Sequence, residues 1–286
     1  TLRPETDPAL AAQSELRGPA TVLHAIGVMP PIAAPGHRVI YSDLNYVALG
    51  EVVHRVSGIG LDAWCAQNIF QPLGMRDTAF RPSHKAIPRI APTIIRNGRW
   101  LRGKVHDPTA AALGGVSGNA GLFSTADDLA RFARMLLDGG RLGNHRILQP
   151  ASVAQLLTPD GSTAVEATRT LGWEVQAPLI PNRYRAPRAG LLQHLGYTGT
   201  GLWIDLVTRR FVIVLTSRLY PAERGNAMPL REAALNLVSS TAPLLSGEQI
   251  AARAPTMADA VISAGSRLPM AVGPVRSGID VFETRR

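Results

Sequence analysis

Cysteine is almost missing from this chain: Cys65 stands alone among 286 residues, which excludes a disulfide framework. It lies in Leu61 to Phe70, whose apolar spacing fits a helix packed on a core, and no His or Lys flanks it to lower its pKa. A buried, inert thiol is expected. Lysine is nearly as scarce. Of the 30 basic residues only Lys85 and Lys104 are lysines, and the arginines are scattered singly, so the net charge of +9 does not describe a concentrated nucleic-acid surface. Runs of the ~18 apolar residues needed to span a bilayer are absent, as is a basic, apolar, small-residue opening segment. His-Glu-x-x-His and Gly-x-x-x-x-Gly-Lys-[Ser/Thr] are also missing, so neither a zinc-protease centre nor a phosphate loop is expected, and no metal or cofactor.

What is present is a chain 45% apolar, long enough to bury a substantial core, with only 5% aromatic residues but 27 glycines and 22 prolines. That composition suits an α+β fold with many turns. A helical interval is expected near Pro19 to Val28. Ser42 and Asp43 offer N-cap oxygens ahead of Leu44, Val47, Ala48, Val52 and Val56, which share one helical face, and Gly58 is placed to end that helix. A second helix is expected over Leu61 to Ile69, stopping before Pro72 and Gly74. Thr125-Ala126-Asp127-Asp128 reads as a capping box with Asp in the Glu position, opening a helix that Gly139-Gly140 closes. Pro150 to Leu157 gives a shorter helix.

After residue 168 the apolar period shortens to that of strands. Four are expected, over Thr170 to Val175, Leu191 to Tyr197, Gly201 to Val207 and Phe211 to Ser217, the last two joined as an antiparallel hairpin. Met228 to Leu245 then reads as a covering helix. Residues 246–274 have linker composition, and the remaining twelve, 275–286, are too few to form a domain.

Two short motifs carry chemistry. Tyr41 precedes a helix N-terminus, whose positive partial charge favours phenolate, although a Tyr acting as base usually needs a neighbouring ammonium as well. An ordinary core Tyr followed by two capping residues is the competing reading. His194-Leu195-Gly196-Tyr197-Thr198-Gly199-Thr200 lies between two expected strands, where Gly196 permits a substrate backbone to approach the strand edge. A lone His there is also compatible with plain packing. Ser117, in Gly115-Val116-Ser117-Gly118-Asn119, misses the nucleophile elbow, which has Gly where Asn119 stands.

Taken together the motifs form an ordered series. Tyr41-Ser42-Asp43-Leu44-Asn45-Tyr46, Phe70-Gln71-Pro72-Leu73-Gly74-Met75, Gly121-Leu122-Phe123-Ser124-Thr125-Ala126-Asp127-Asp128-Leu129 and Gly201-Leu202-Trp203-Ile204-Asp205 resemble, in order and spacing, the class C β-lactamase-like and penicillin-binding-protein-type serine hydrolases. These include esterases and D-amino-acid peptidases. The resemblance covers roughly residues 1–245. It implies a β-lactamase/transpeptidase-like fold and an acyl-enzyme mechanism with a nucleophile in Ser-x-x-Lys. Tyr41 then stands where the family's proton-transferring Tyr does, and Asp43 takes the Asn position of Tyr-x-Asn. His194-Leu195-Gly196 takes the place of the Lys-Thr-Gly or His-Thr-Gly strand, and the Tyr197 N–H would form half of the oxyanion hole.

Departures from the family pattern narrow the expectation. Asp43 replaces a donor by an acceptor, which argues against efficient β-lactam hydrolysis. Leu195 replaces a Thr that would meet a substrate carboxylate, and Asn119 stands where similar proteins often carry His. Ser-x-x-Lys itself is absent, since Pro82 and Leu101 lie three before the two lysines. Thr1-Leu2-Arg3-Pro4 resembles the loop that follows the nucleophile helix, so the missing strands and nucleophile helix are expected to be N-terminal. Val275-Arg276-Ser277-Gly278-Ile279-Asp280-Val281-Phe282-Glu283 resembles the opening of an exo-β-N-acetylmuramidase domain.

The resulting expectation is a partial hydrolase domain over 1–245, a linker over 246–274 and the start of another domain at 275–286. Its parent would act on esters or cell-wall-derived amides. Its partners would be a small-molecule or cell-wall-fragment substrate and the missing N-terminal segment. A cell-wall role would place the parent in the periplasm or outside the cell. The alternative is a non-catalytic peptidoglycan-binding or scaffolding domain for a muramidase.

Overall fold

The computed structural model describes residues 19–34, 37, 40–158, 169–176, 190–220, 225–241 and 249. Thr1 to Pro4 and, apart from Gln249, the expected linker and following segment lie outside the described residues.

The helical part begins with α1, Pro19–Val28, and α2, Asp43–Ser57, which ends at Gly58 in the left-handed conformation. The next helix, α3, runs on where the sequence suggested a stop. Leu61–Cys65 continues through a π-helical turn, Ala66–Phe70, into Gln71–Leu73, and Gly74, at φ 67°, ends it. The wider i→i+5 turn resets the hydrogen-bond ladder just before Pro72, which has no N–H to give and would clash in a regular turn. Short hairpins and bridges follow: β1, Ala79–Phe80; β2, Ile95–Arg96, paired with β3, Arg99–Trp100; then α4, Pro108–Ala112, and β4, Leu122–Phe123, which pairs with β1.

Helix α5, Ala126–Leu137, has the expected N-cap: the Thr125 hydroxyl accepts from the Asp128 N–H at 3.3 Å. The box is not reciprocal. Asp128 turns away and accepts from the Asp77 N–H and the Thr78 hydroxyl, both at 2.8 Å, tying α5 to the segment after α3. The β5–β6 hairpin, Arg141–Leu142 and His145–Arg146, leads into α6, Pro150–Gln155.

The main sheet is antiparallel with order β10-β9-β8-β7: Glu174–Gln176 is β7, Leu191–Leu195 is β8, Gly201–Asp205 is β9 and Arg210–Val214 is β10. Each strand is shorter than its apolar run. The β9–β10 hairpin turns through 206–209 rather than 208–210, because the buried Asp205 carboxylate accepts from the N–H groups of Val207 and Thr208 and starts the turn early. Alternate residues feed two cores. Leu192 and Ile204 face Leu73, Met135 and Leu136 of the helical layer, while Leu191, Trp203 and Val214 face Leu235 and Val238 of α7, Met228–Ser240. The sheet is thus sandwiched between helices. Among the described residues, the outer edge of β10 pairs with no strand.

One sequence expectation fails in α2. Only Val47 of its apolar stripe is buried; Val52 is 52% and Val56 84% exposed, and the neighbouring Leu49 is 55% exposed. Periodicity reports an apolar face but not whether anything covers it.

Candidate active site

The N-terminus of α2 and the end of β8 meet around a group of charged and phenolic side chains. Tyr41 sits one residue before the N-cap, Ser42, whose extended backbone turns the chain into α2 without a side-chain cap bond. The Asp43 carboxylate lies near enough to act on the Tyr41 hydroxyl electrostatically. Its ring lies 6.4 Å from that of Tyr46 and beneath the Arg169 guanidinium, 4.6 Å from the ring centroid. Arg169 also reaches Glu174, at 3.7 Å, where β7 begins.

This surrounding reverses the expected electrostatics of Tyr41. Burial, then the Asp43 carboxylate, raise its pKa above the ordinary phenol value, and Arg169 opposes them only in part. A nearby full negative charge outweighs the fractional positive charge of a helix end. Neither lysine is among the charges acting on Tyr41. In this chain burial and the Asp43 carboxylate both favour the phenol over the phenolate.

His194 follows Leu192 on the face of β8 that looks toward the helical layer. Burial, then Arg169, push its imidazole below the ordinary value, against the pull of Asp43 and Glu174. Tyr41, Asp43 and His194 are thus brought into one electrostatic group. Arg169 and Glu174 belong to it too, and neither could be picked out from sequence, because neither lies in a motif and their positions depend on how β7 docks onto β8.

The other residues singled out by sequence divide. The Leu195 side chain points to the opposite face of β8 and packs with the Leu191 and Trp203 core, so only its backbone is left at the site. At the turn after β8 the Gly196 N–H is engaged by the Thr200 carbonyl at 2.9 Å. The Tyr197 ring is 57% exposed, stacks near His106 at 6.0 Å and carries the Arg218 guanidinium 4.2 Å from its centroid.

Asn119 is not turned toward this group. Its amide accepts from the Ser117 hydroxyl at 2.6 Å and donates to Asp107 at 3.3 Å, and Asp107 in turn caps α4 through the Ala110 N–H at 2.7 Å. The amide is spent on holding its own loop. That loop rests on α2 through Gly118, where any Cβ would collide with the Tyr46 carbonyl oxygen. Ser117 is 6% exposed and bonded to an amide, an arrangement with no base to activate it. Cys65 has the expected inert character: burial and Asp62 push its thiol up to about 11. Among the described residues no cluster of three or more His, Cys, Asp or Glu is arranged to hold a metal, and no helix is long and apolar enough to cross a membrane.

The family model described as Beta-lactamase matches residues 1–237. The chain belongs to the β-lactamase family. A relative from Salmonella heidelberg (strain SL476), whose name provisionally makes it a D-alanyl-D-alanine carboxypeptidase, is 34% identical over 223 residues, covering 70% of this chain and 50% of the relative. The chain spans about half the length of the curated relatives it matches. Among solved structures, unliganded simvastatin synthase (LovD) of Aspergillus terreus superposes with a TM-score of 0.60 at 19% identity, over 83% of this chain and 65% of that one. The octameric penicillin-binding protein homologue of Pyrococcus abyssi gives 0.56 at 19%, over 79% and 48%. These likenesses fix the fold of this β-lactamase family member as the mixed α+β arrangement of helices and antiparallel strands.

Proposed function

We propose that this chain is the Tyr- and strand-bearing part of a serine acyl hydrolase that acts on an ester or a peptidoglycan-derived amide, with the nucleophile supplied by an upstream Ser-x-x-Lys segment of the same polypeptide. The observation that carries the reading is the meeting of Tyr41, Asp43 and His194 at the end of β8, beside the Gly196–Tyr197 peptide. In the completed site the serine Oγ attacks the substrate carbonyl carbon. The carbonyl oxygen becomes an oxyanion held by the Tyr197 N–H and the N–H of the serine, and the serine proton passes toward Tyr41. A lysine ammonium brought beside Tyr41 would lower its pKa, reversing the effect of Asp43 and turning the phenol into a base. The name of the Salmonella relative points to amides ending in D-alanine as the first substrates to try.

The exposed stripe Leu49, Val52 and Val56 supports an incomplete site: three apolar side chains more than half exposed on one helix form a face that a further element would cover. Alone, the chain forms no acyl-enzyme and is expected to be poorly soluble or to fold with a partner. The test joins an upstream segment carrying Ser-x-x-Lys and measures p-nitrophenyl ester turnover. Turnover lost on Tyr41→Phe supports the reading; no turnover, or turnover indifferent to Tyr41→Phe, ends it.

One observation favours the second reading, a non-catalytic domain that binds peptidoglycan or positions a muramidase: burial and the Asp43 carboxylate both disfavour the Tyr41 phenolate. Binding of cell-wall fragments that survives Tyr41→Phe, with no turnover in the joined protein, would select it.

A further inference from the structure

The turn after β8 is held from behind by two arginines that play no part in the chemistry above. Arg231, in the first turn of α7, is 6% exposed, and its Nη2 donates to the Gly196 carbonyl at 2.8 Å and to the Thr200 carbonyl. Arg218 donates through Nε to the Tyr197 carbonyl at 2.6 Å, while its own N–H bonds the Thr198 carbonyl at 2.9 Å. Neither arginine pairs with a carboxylate among the described residues, and the buried Arg231 Nε has no hydrogen-bond partner there. A buried guanidinium with an unsatisfied N–H and no counter-charge costs stability, and a smaller apolar residue would cost less. Among the described residues, what the Arg231 charge holds is the pair of carbonyls at Gly196 and Thr200.

Peptide geometry gives that hold a consequence. The Gly196 C=O and the Tyr197 N–H belong to one planar unit, and in a trans peptide they point in opposite directions. That carbonyl is held by Arg231 together with the turn bond from the Gly199 N–H at 3.1 Å, and fixing it aims the Tyr197 N–H away from α7. A charge-assisted bond to the carbonyl also polarises the whole amide, which makes its N–H a stronger donor. Arg218 fixes the next peptide in the same way, so two consecutive planes are locked.

We propose that Arg231 is a positioning residue for oxyanion stabilisation: through the Gly196 carbonyl it aims the Tyr197 N–H and strengthens it as a donor. This inference rests on the acyl-transfer reading, in which that N–H receives the oxyanion. Because the effect exists only when negative charge develops on the substrate oxygen, it belongs to the transition state and should appear in kcat more than in KM.

The experiment compares the natural polypeptide with its Arg231→Gln and Arg231→Lys variants in p-nitrophenyl ester turnover and in inhibition by phenylboronic acid. The boronate adds to the serine as a tetrahedral adduct and so reads oxyanion stabilisation directly. Thermal midpoints are recorded, and rates are taken below them. For Arg231→Gln the expected result is a fall in kcat of roughly tenfold or more, below the ~100-fold for deleting a donor outright, with KM within about twofold and boronate affinity falling by the same factor as kcat. Arg231→Lys, which keeps the charge but not the fork, should lie between. Boronate affinity unchanged in Arg231→Gln overturns the proposal. If that variant does not fold, Arg231→Lys carries the test, and wild-type kcat and boronate affinity in it overturn the proposal. A natural polypeptide that turns over ester but ignores boronate refutes the acyl-transfer reading itself and the inference with it, an outcome distinct from equal boronate binding by wild type and variant.

Discussion

Helices α5 and α2 are of similar length and both open on a hydroxyl-bearing residue, yet they live in different surroundings. In α5 the Thr125 cap is made, Asp128 is tied to the segment before it, and Ala133, Met135 and Leu136 are sealed against the sheet. In α2 the Ser42 cap is not made, one residue is buried, and Leu49, Val52 and Val56 stand in the open. The sheet and α5 form a closely packed region, while the helix that follows Tyr41 leaves most of its apolar stripe exposed. The site draws on both regions, Tyr41 and Asp43 from the exposed one and His194 from the packed sheet.

The comparison can be broken first at its strongest point. Leu136→Ala removes a side chain 1% exposed at the centre of the main core and should cost about 2–5 kcal/mol, read as a loss in denaturant midpoint. An effect under about 1 kcal/mol would mean that this region is not packed as described. Thr125→Ala, which deletes the α5 cap, should cost about 1 kcal/mol by the same measurement. Leu49→Ser in α2 should cost less than about 0.5 kcal/mol in the chain alone but more in the natural polypeptide if, as proposed, a further element covers that face. Equal costs in both would mean that nothing docks on α2.

The smallest effect is one of pH. The His194 imidazole is held below its ordinary value, so the unfolded chain takes up a proton in a range where the folded chain does not. Stability from this group is whole above about pH 6.5, the unperturbed His value, and declines as pH falls toward the lower folded value. His194→Gln should flatten that part of a thermal-midpoint profile, and an unchanged slope between pH 7 and 5 would show that His194 does not sit in the described surroundings.

Much of the closely packed region could be read in the sequence, because its signals are local. Thr125 and Asp128 lie three residues apart, and the short apolar runs Gly201 to Val207 and Phe211 to Ser217 on either side of a tight turn announce an antiparallel hairpin. What failed or stayed hidden depends on distant partners. Asp128 gave up its place in the capping box for residues some fifty positions away. The α2 stripe looked like core because periodicity cannot report a missing neighbour, and the raised pKa of Tyr41 follows from Asp43 and burial more than from the helix end. Arg169, Arg218 and Arg231 carry no motif at all; only folding places their charges at the site.

The most direct test of the account is trapping the acyl-enzyme. This chain alone and the natural polypeptide are each incubated with a p-nitrophenyl ester, quenched in acid and mapped by peptide mass. The account predicts an acyl adduct on a serine upstream of residue 1 in the natural polypeptide and none within 1–286 in either sample. An adduct on a residue of this chain, Ser117 above all, would contradict it.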